Sequence, residues 1–424
     1  MSERQVDVVV IGGGPGGSTA ATLLARQGRR VLVLEKEKFP RFKIGESLLP
    51  MSRAIYERLG VAEEMERRLI KKHGAHFVHE TTGQEQIFEF KNALDCPYPY
   101  AYEAKRGEHD QLLLENARKA GAEVREAWSV TDVLFEGEQA VGVKARSNDT
   151  GEEETIRAAF VVDASGRASF LAKKLRLRRP DPQLNKAAAF THYRGVERLP
   201  GIHEGTITIA TFPGGWFWVI PFKGEVTSVG AVMHQRFWRE KDGSPEQMLD
   251  AAIEACPSVR RRLAKAERLM PVMTEGSFSY KSDRFAGPGW VLCGDAAAFL
   301  DPIFSSGVYL SMTCATQIAD AVERGLATGD RSAKLFREYE RRMRAGMGIF
   351  WKYIFSFYDE SFLRLFMSPT EKFQLVESIT GVLAGNIFPR FSFRARMWLM
   401  DGCVAVARVA YRLKGIEVGS RAGV

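Results

Sequence analysis

Apolar positions in this chain recur with two different periods, and the switches between them mark out the elements. Val6-Asp7-Val8-Val9-Val10-Ile11 is a β-branched run with one polar break, the pattern of a strand buried in a parallel sheet. Glycines 12, 13, 14, 16 and 17 follow at once, and a helical pattern then runs from Gly16 to Gln27, where Gly28 suits the stop. Arg30 to Leu34 predicts the next strand, and two later apolar strands end at Asp163 and at Cys293. A two-residue period returns at Ala75–Val78 and Gln86–Phe90, which flank the turn-rich Thr81-Thr82-Gly83. It appears again at Ala187–Tyr193, Thr206–Thr211, Trp216–Pro221 and Thr227–Met233. Ser244 to Leu269 has a helical period that Pro257 divides, and the chain is helical from Ala333 onward, with Pro369 and Pro389 as breaks. These elements predict an α/β fold with an antiparallel sheet inserted and a helical C-terminal region.

The first glycines carry chemistry. Gly12 permits a tight turn, Gly14 lets the backbone approach a pyrophosphate, and Gly17 allows close helix–strand packing. The following helix points the positive end of its dipole at the phosphates. Glu35 closes the second strand, where an acid accepts hydrogen bonds from ribose hydroxyls. Strand, glycines, helix, strand and acid in register predict a bound dinucleotide. No second such fingerprint follows: Gly287-Pro288-Gly289 precedes a strand and opens no helix. A separate NAD(P)H domain is therefore not expected.

Composition narrows the class. With 424 residues, 45% hydrophobic and 26% charged, the chain can bury a large core and is expected to divide into two or three units. Five scattered cysteines without a C-x-x-C pair predict reduced thiols in a cytoplasmic protein. The early strand predicts no signal peptide, and no apolar run is long enough to span a membrane. The net charge of +8 would suit an acidic partner or anionic lipid, but no nucleic-acid motif accompanies it. His73, His76 and His79 invite a metal reading, yet on a strand His73 and His76 face opposite sides, so no metal site is expected.

Three segments point to FAD. Val161-Val162-Asp163-Ala164-Ser165-Gly166 ends in Asp-x-x-Gly, Trp290-Val291-Leu292-Cys293-Gly294-Asp295 ends in Gly-Asp, and Arg106 opens an amphipathic segment. Together with the glycine turn they resemble the glutathione-reductase-type FAD proteins with the hydroxybenzoate-hydroxylase fold. That resemblance implies that Asp295 contacts the ribityl chain and Arg106 lies near the pyrophosphate, with Asp163 and Gly166 shaping the same site. It assigns residues 1–69, 97–179 and 286–328 to a discontinuous FAD-binding domain. Residues 70–96 and 180–285 form an antiparallel substrate domain, and residues 329–424 a helical region.

Trp216-Phe217-Trp218-Val219-Ile220-Pro221 and Gly45-Glu46-Ser47 resemble the signatures of flavin-dependent halogenases. Two indoles on alternate strand residues project to one side. They are either two core tryptophans or, as the resemblance implies, a wall beside the flavin that keeps organic substrate away. Glu46 and Ser47 are then expected against the flavin ring. Asp301-Pro302-Ile303-Phe304-Ser305-Ser306-Gly307 is similar to a segment of the phenol- and pyrrole-modifying branch. It implies a turn opened by Pro302, with halide held by the backbone amides of Ser306 and Gly307 at a helix start. In that family, reduced flavin and oxygen turn halide into hypohalous acid, and a lysine directs it to the substrate. Lys72 matches that lysine, with Lys71 the alternative and a solvated cluster of Arg67, Arg68, Lys71 and Lys72 the plainer reading.

The expected function is an FAD-dependent oxidoreductase, a halogenase of electron-rich aromatics that are free or held on an acyl or peptidyl carrier protein. A separate flavin reductase would supply reduced FAD. The rivals are an aromatic monooxygenase, a geranylgeranyl-reductase-like enzyme and an FAD-bound partner without turnover. The aromatic stretch from Phe350 through Phe366 reads first as packing, then as a substrate wall, and last as a peripheral membrane contact.

Overall fold

The computed structural model describes residues 3–181, 184, 186–234, 238, 243–276, 279–368, 374–388 and 391–413. Its first sheet is the expected α/β one. The strands Ala286–Gly287, Trp290–Leu292, Glu153–Asp163, Glu3–Ile11, Val31–Leu34 and Glu123–Arg125 lie side by side in that order. From Trp290–Leu292 across to Glu123–Arg125 every pairing is parallel. Val8, Val9 and Val10 are fully buried, as a strand covered on both faces requires. The helices Pro15–Arg26, Arg106–Lys119 and Gly307–Thr328 include partners across this layer: the first packs against both others.

The second sheet is mixed and mostly antiparallel. Its order is Glu267–Arg268, Lys186–Arg194, Val226–His234, Gly215–Pro221, Ile207–Phe212, Gly74–His79 and Gln84–Glu89, with Met273–Gly276 also pairing Lys186–Arg194. One pairing, Ile207–Phe212 with Gly74–His79, is parallel. Register fixes one face. Trp216 stands opposite Val232 and Ala188, Trp218 opposite Gly230 and Phe190, and Ile220 opposite Ser228 and His192. The helices Arg337–Phe357 and Glu360–Met367 bring Phe357 and Phe366 onto the same side, where both rings meet Phe77. The aromatic stretch is thus mainly packing.

Some elements depart from the sequence expectation. An antiparallel hairpin, Trp128–Glu136 with Gln139–Ser147, extends the first sheet. Ile70–Lys72 and Ala101–Glu103 form a two-stranded ribbon. The helical stretch after Ser244 ends at Leu263, and Glu267–Arg268 turns to strand. Pro369 and Pro389 lie outside the described residues. No helix among the described residues is long and apolar enough to cross a membrane.

Candidate active site

The glycine turn is a cradle that side chains would fill. Gly12 sits at φ +98°, and a Cβ there would come 2.6 Å from the Ala164 carbonyl oxygen. A Cβ on Gly17 would collide with the Gly12 carbonyl. Gly14 precedes the helix Pro15–Arg26, and the nearest atom to a Cβ there is Arg41 Nη2, at 3.5 Å. Glu35 is buried at the end of its strand; its carboxylate accepts from the Gly13 N–H at 2.7 Å and the Glu37 N–H at 2.9 Å. Arg106 is held by Asp110 and donates to the Ile44 carbonyl at 2.8 Å. Open backbone amides, a helix start, two arginines and a terminal acid fit a dinucleotide.

Asp163 and Asp295 have different tasks. Both oxygens of Asp163 accept backbone N–H groups, from Ser165 at 2.9 Å and Leu171 at 2.7 Å. It locks the turn that carries Gly166 at φ +63°. Burial raises the Asp295 carboxyl to about 6, although Arg106 and Arg167 pull it down. A side chain at Gly307 would begin 3.9 Å from Asp295 Oδ1, so the helix start at 307 and this carboxylate share one corner.

That helix start is built by the preceding turn. Asp301 Oδ1 accepts from the Ile303 N–H at 3.1 Å and caps the turn Pro302–Phe304. Ser305 takes φ +55°, and Ser306, buried, stands at the position before the helix Gly307–Thr328 without a side-chain capping bond. The first N–H groups of such a helix have no partner within it and favour an anion.

The Gly-Glu-Ser segment is clamped between the second sheet and the two-stranded ribbon. Glu46 Oε1 lies 3.0 Å from His192 Nε2, and Phe42 stacks on Phe190 at 6.1 Å between ring centres. Ser47 Oγ accepts from Lys72 Nζ at 2.8 Å, and the Leu48 carbonyl accepts from the same amine at 3.1 Å. Arg67 and Arg68 end the helix Ala62–Arg68, and alternation along the strand Ile70–Lys72 separates Lys71 from Lys72. The side chains of Arg67, Arg68 and Lys71 are 69%, 46% and 44% exposed. Lys72 is only 1% exposed. Lys71 pairs with Glu66, which raises its ammonium. Burial lowers the Lys72 ammonium, with Glu103 opposing. Glu103, on the facing ribbon strand, is pushed up to about 8 by burial, against the pull of Lys72.

Trp216 and Trp218 are both buried, their ring centres 6.1 Å apart. The Trp218 indole N–H donates to Ser228 Oγ at 3.0 Å, and Gly230 leaves the room its ring occupies. The Trp216 indole N–H donates to Tyr358 Oη at 3.0 Å, and the Tyr358 hydroxyl donates to Asp301 Oδ2 at 2.9 Å. Trp216 is thereby tied to the turn before Ser306, whereas Trp218 is held within its own sheet, and both indoles also pack in the main hydrophobic core.

Sequence reasoning passed over His192, Glu103 and Lys186, and took in Tyr358 only as one ring of the aromatic stretch. The alternation through Lys186, Ala188, Phe190 and His192 was a usable signal, because it puts all four on the Trp216–Trp218 face. The three histidines separate. His76 faces Thr208 and Glu85, His79 faces Thr82, and His73 lies against Tyr100. Among the described residues no group of three His, Cys, Asp or Glu could hold a metal.

Comparison with known proteins agrees with this layout. The family model of the FAD binding domain matches residues 5–347. A tryptophan 2-halogenase of Chondromyces crocatus is 38% identical, over 83% of this chain and 67% of that protein. A 1H-pyrrole-2-carbonyl-[peptidyl-carrier protein] chlorinase of Pseudomonas fluorescens is 31% identical, over 92% of this chain and 91% of that protein. The solved myxobacterial chondrochloren halogenase, 34% identical, superposes with a TM-score of 0.80 over 92% of this chain and 99% of that one.

Proposed function

The chain belongs to the flavin-dependent halogenases and is an FAD-dependent oxidoreductase, and from that premise we propose that it halogenates an electron-rich aromatic ring. FAD, held by Gly12, Gly14, Gly17, Glu35, Arg106 and Asp295 and reduced by a separate flavin reductase, supplies the electrons with which dioxygen oxidises halide to hypohalous acid. The amides of Ser306 and Gly307 hold the halide. Glu46, Ser47 and Pro302 border the flavin, and Asp163 and Gly166 keep the neighbouring turn in shape. Trp216 and Trp218 exclude organic substrate from the oxidant's birthplace. Lys72 meets the hypohalous acid next to the substrate. As an ammonium it donates a hydrogen bond to the oxidant; as an amine it takes the halogen and releases water.

The substrate is free or tethered to a carrier protein. The relatives include a halogenase named for tryptophan and a chlorinase named for a carrier-bound pyrrole, which supports both forms. The observation that carries the reading is Lys72 itself. A merely solvating lysine would stay in water, whereas this one is buried against Ser47 with a carboxyl beside it.

The test is mass spectrometry of an aromatic panel exposed to the FAD-loaded protein, a flavin reductase, oxygen and bromide. Brominated product is expected from the wild type. Lys72→Ala should give none, while flavin reoxidation continues and an added thioether traps the leaked oxidant. Normal bromination by Lys72→Ala would remove the role of Lys72. A wild type that oxidises no halide would overturn the proposal.

A further inference from the structure

Lys186 opens the strand Lys186–Arg194 with a side chain only 5% exposed. Its Nζ has no hydrogen-bond partner among the described residues. It lies 2.7 Å from the centre of the Tyr358 ring and 3.9 Å from Asp301 Oδ2. Register places it on the sheet face of Trp216 and Trp218. A buried amine without a hydrogen bond is costly unless its charge has a use.

Asp301 supplies the use. Its carboxylate is buried and serves two masters: Oδ1 takes the Ile303 N–H, and Oδ2 takes the Tyr358 hydroxyl, which in turn accepts from Trp216. That single anion therefore fixes both the turn and, through Tyr358, Trp216. It also stands one short turn ahead of Ser306 and Gly307. Left alone it would repel a halide there, at a penalty on the order of tenfold in affinity for like charges near each other in a protein interior.

We propose that Lys186 is a positioning residue for halide: its ammonium neutralises Asp301, so that the Ser306–Gly307 helix start accepts an anion. The inference rests on the reading of that helix start as the halide site. It accounts for an amine placed beside Asp301 rather than in solvent.

A pH dependence follows. Burial lowers the Lys186 ammonium to about 8, with Asp301 opposing. The titratable and charged groups around it are Asp301 on the turn, Tyr358 at the end of its helix, and His234 across the sheet. Glu275 on the other neighbouring strand pairs with Arg167. Burial holds Tyr358 well above its ordinary range, so it stays neutral throughout. Below about 8 Lys186 is charged and cancels Asp301; above it Asp301 stands alone. Halide affinity should therefore fall as pH rises through that value.

The experiment is a bromide titration of the oxidised FAD-bound protein, read as displacement of chloride by chloride NMR line width, which needs no turnover. Wild-type bromide affinity should fall about tenfold between about pH 6.5 and about pH 9.5. Lys186→Met should bind weakly at both, keeping only the small change that the Asp295 carboxyl, which ionises at about 6 beside the same helix start, contributes at about pH 6.5, and Lys186→Arg should bind tightly at both. Adding Asp301→Asn to Lys186→Met removes the unpaired anion and should restore tight binding. That rescue is not expected if Lys186 only fills space. Wild-type affinity and pH dependence in Lys186→Met would overturn the inference while leaving the halide site standing. No bromide effect in the wild type at any pH would overturn the halide site and this inference with it.

Discussion

Glu103→Gln is the sharpest probe of the buried Lys72–Glu103 pair. The wild-type carboxyl ionises near 8, against 4.5 for an ordinary glutamate, because burial outweighs the attraction of Lys72. A folded-state value above the unfolded one means a stability contribution that is complete below about 4.5 and lost as pH rises to 8. At about 1.4 kcal/mol for each pH unit, the ceiling on that loss is about 5 kcal/mol. Water entry and movement of Lys72 reduce it to roughly 2–3 kcal/mol. Glutamine mimics the protonated acid and cannot ionise. Near pH 5 the variant and the wild type should therefore melt at similar temperatures. By pH 9 the variant should melt higher by about 3 °C, given the size of the chain. The assay is a pair of Tm-against-pH curves on the FAD-loaded proteins, followed by calorimetry or circular dichroism. The activity profile adds a second reading. With the anion gone, Lys72 loses the group that holds its proton, so its limb of the halogenation pH profile should move to lower pH. Parallel melting curves from pH 5 to pH 9, with an unmoved limb, would show that Glu103 is ionised or solvated in the native protein and would refute the argument.

Three further outcomes are expected. Asp295→Ala should weaken FAD binding sharply, because it removes the buried carboxyl that shares the corner of the helix start at Gly307 and is expected to meet the cofactor; flavin titration that finds wild-type affinity contradicts the assignment. Stopped-flow mixing of the FAD-bound protein with NADPH alone should give no rapid bleaching, since only one dinucleotide turn is present; fast reduction would favour a single-component hydroxylase. Gly230→Ala should cost about 1–3 kcal/mol, as its Cβ would press into the Trp218 ring and to within 2.5 Å of Phe190 Cβ; an unchanged Tm would mean the indole has another place to lie.

The glycine turn was legible because its requirement is local. Gly12 needs a positive φ and Gly17 needs an absent side chain, and both are written in single residues. The tryptophan face was legible from strand parity. The choice between Lys71 and Lys72 was not, because a three-residue strand is too short to show a period and a charge cluster hides its one inward member. Glu103 sits on an equally short strand. The hairpin from Trp128 to Ser147 escaped notice for another reason: its first strand is mostly half-buried on both faces and carries no clean alternation. Tyr358, Asp301 and Lys186 come together from three distant stretches, and no spacing records that meeting.

The bond from Trp216 through Tyr358 to Asp301 has a consequence for anyone reshaping this protein. Tyr358 belongs to the last quarter of the chain, whose rings also cover the sheet around Phe77. Substrate scope is ordinarily widened by trimming such a cover. Here the trimming would also slacken Trp216, the residue proposed to fence the oxidant, so on that proposal a broader guest list brings a leakier enzyme. Redesign should therefore begin at Phe362 and Phe366, which touch neither Trp216 nor Asp301 by hydrogen bond, and leave Tyr358 as the fixed post.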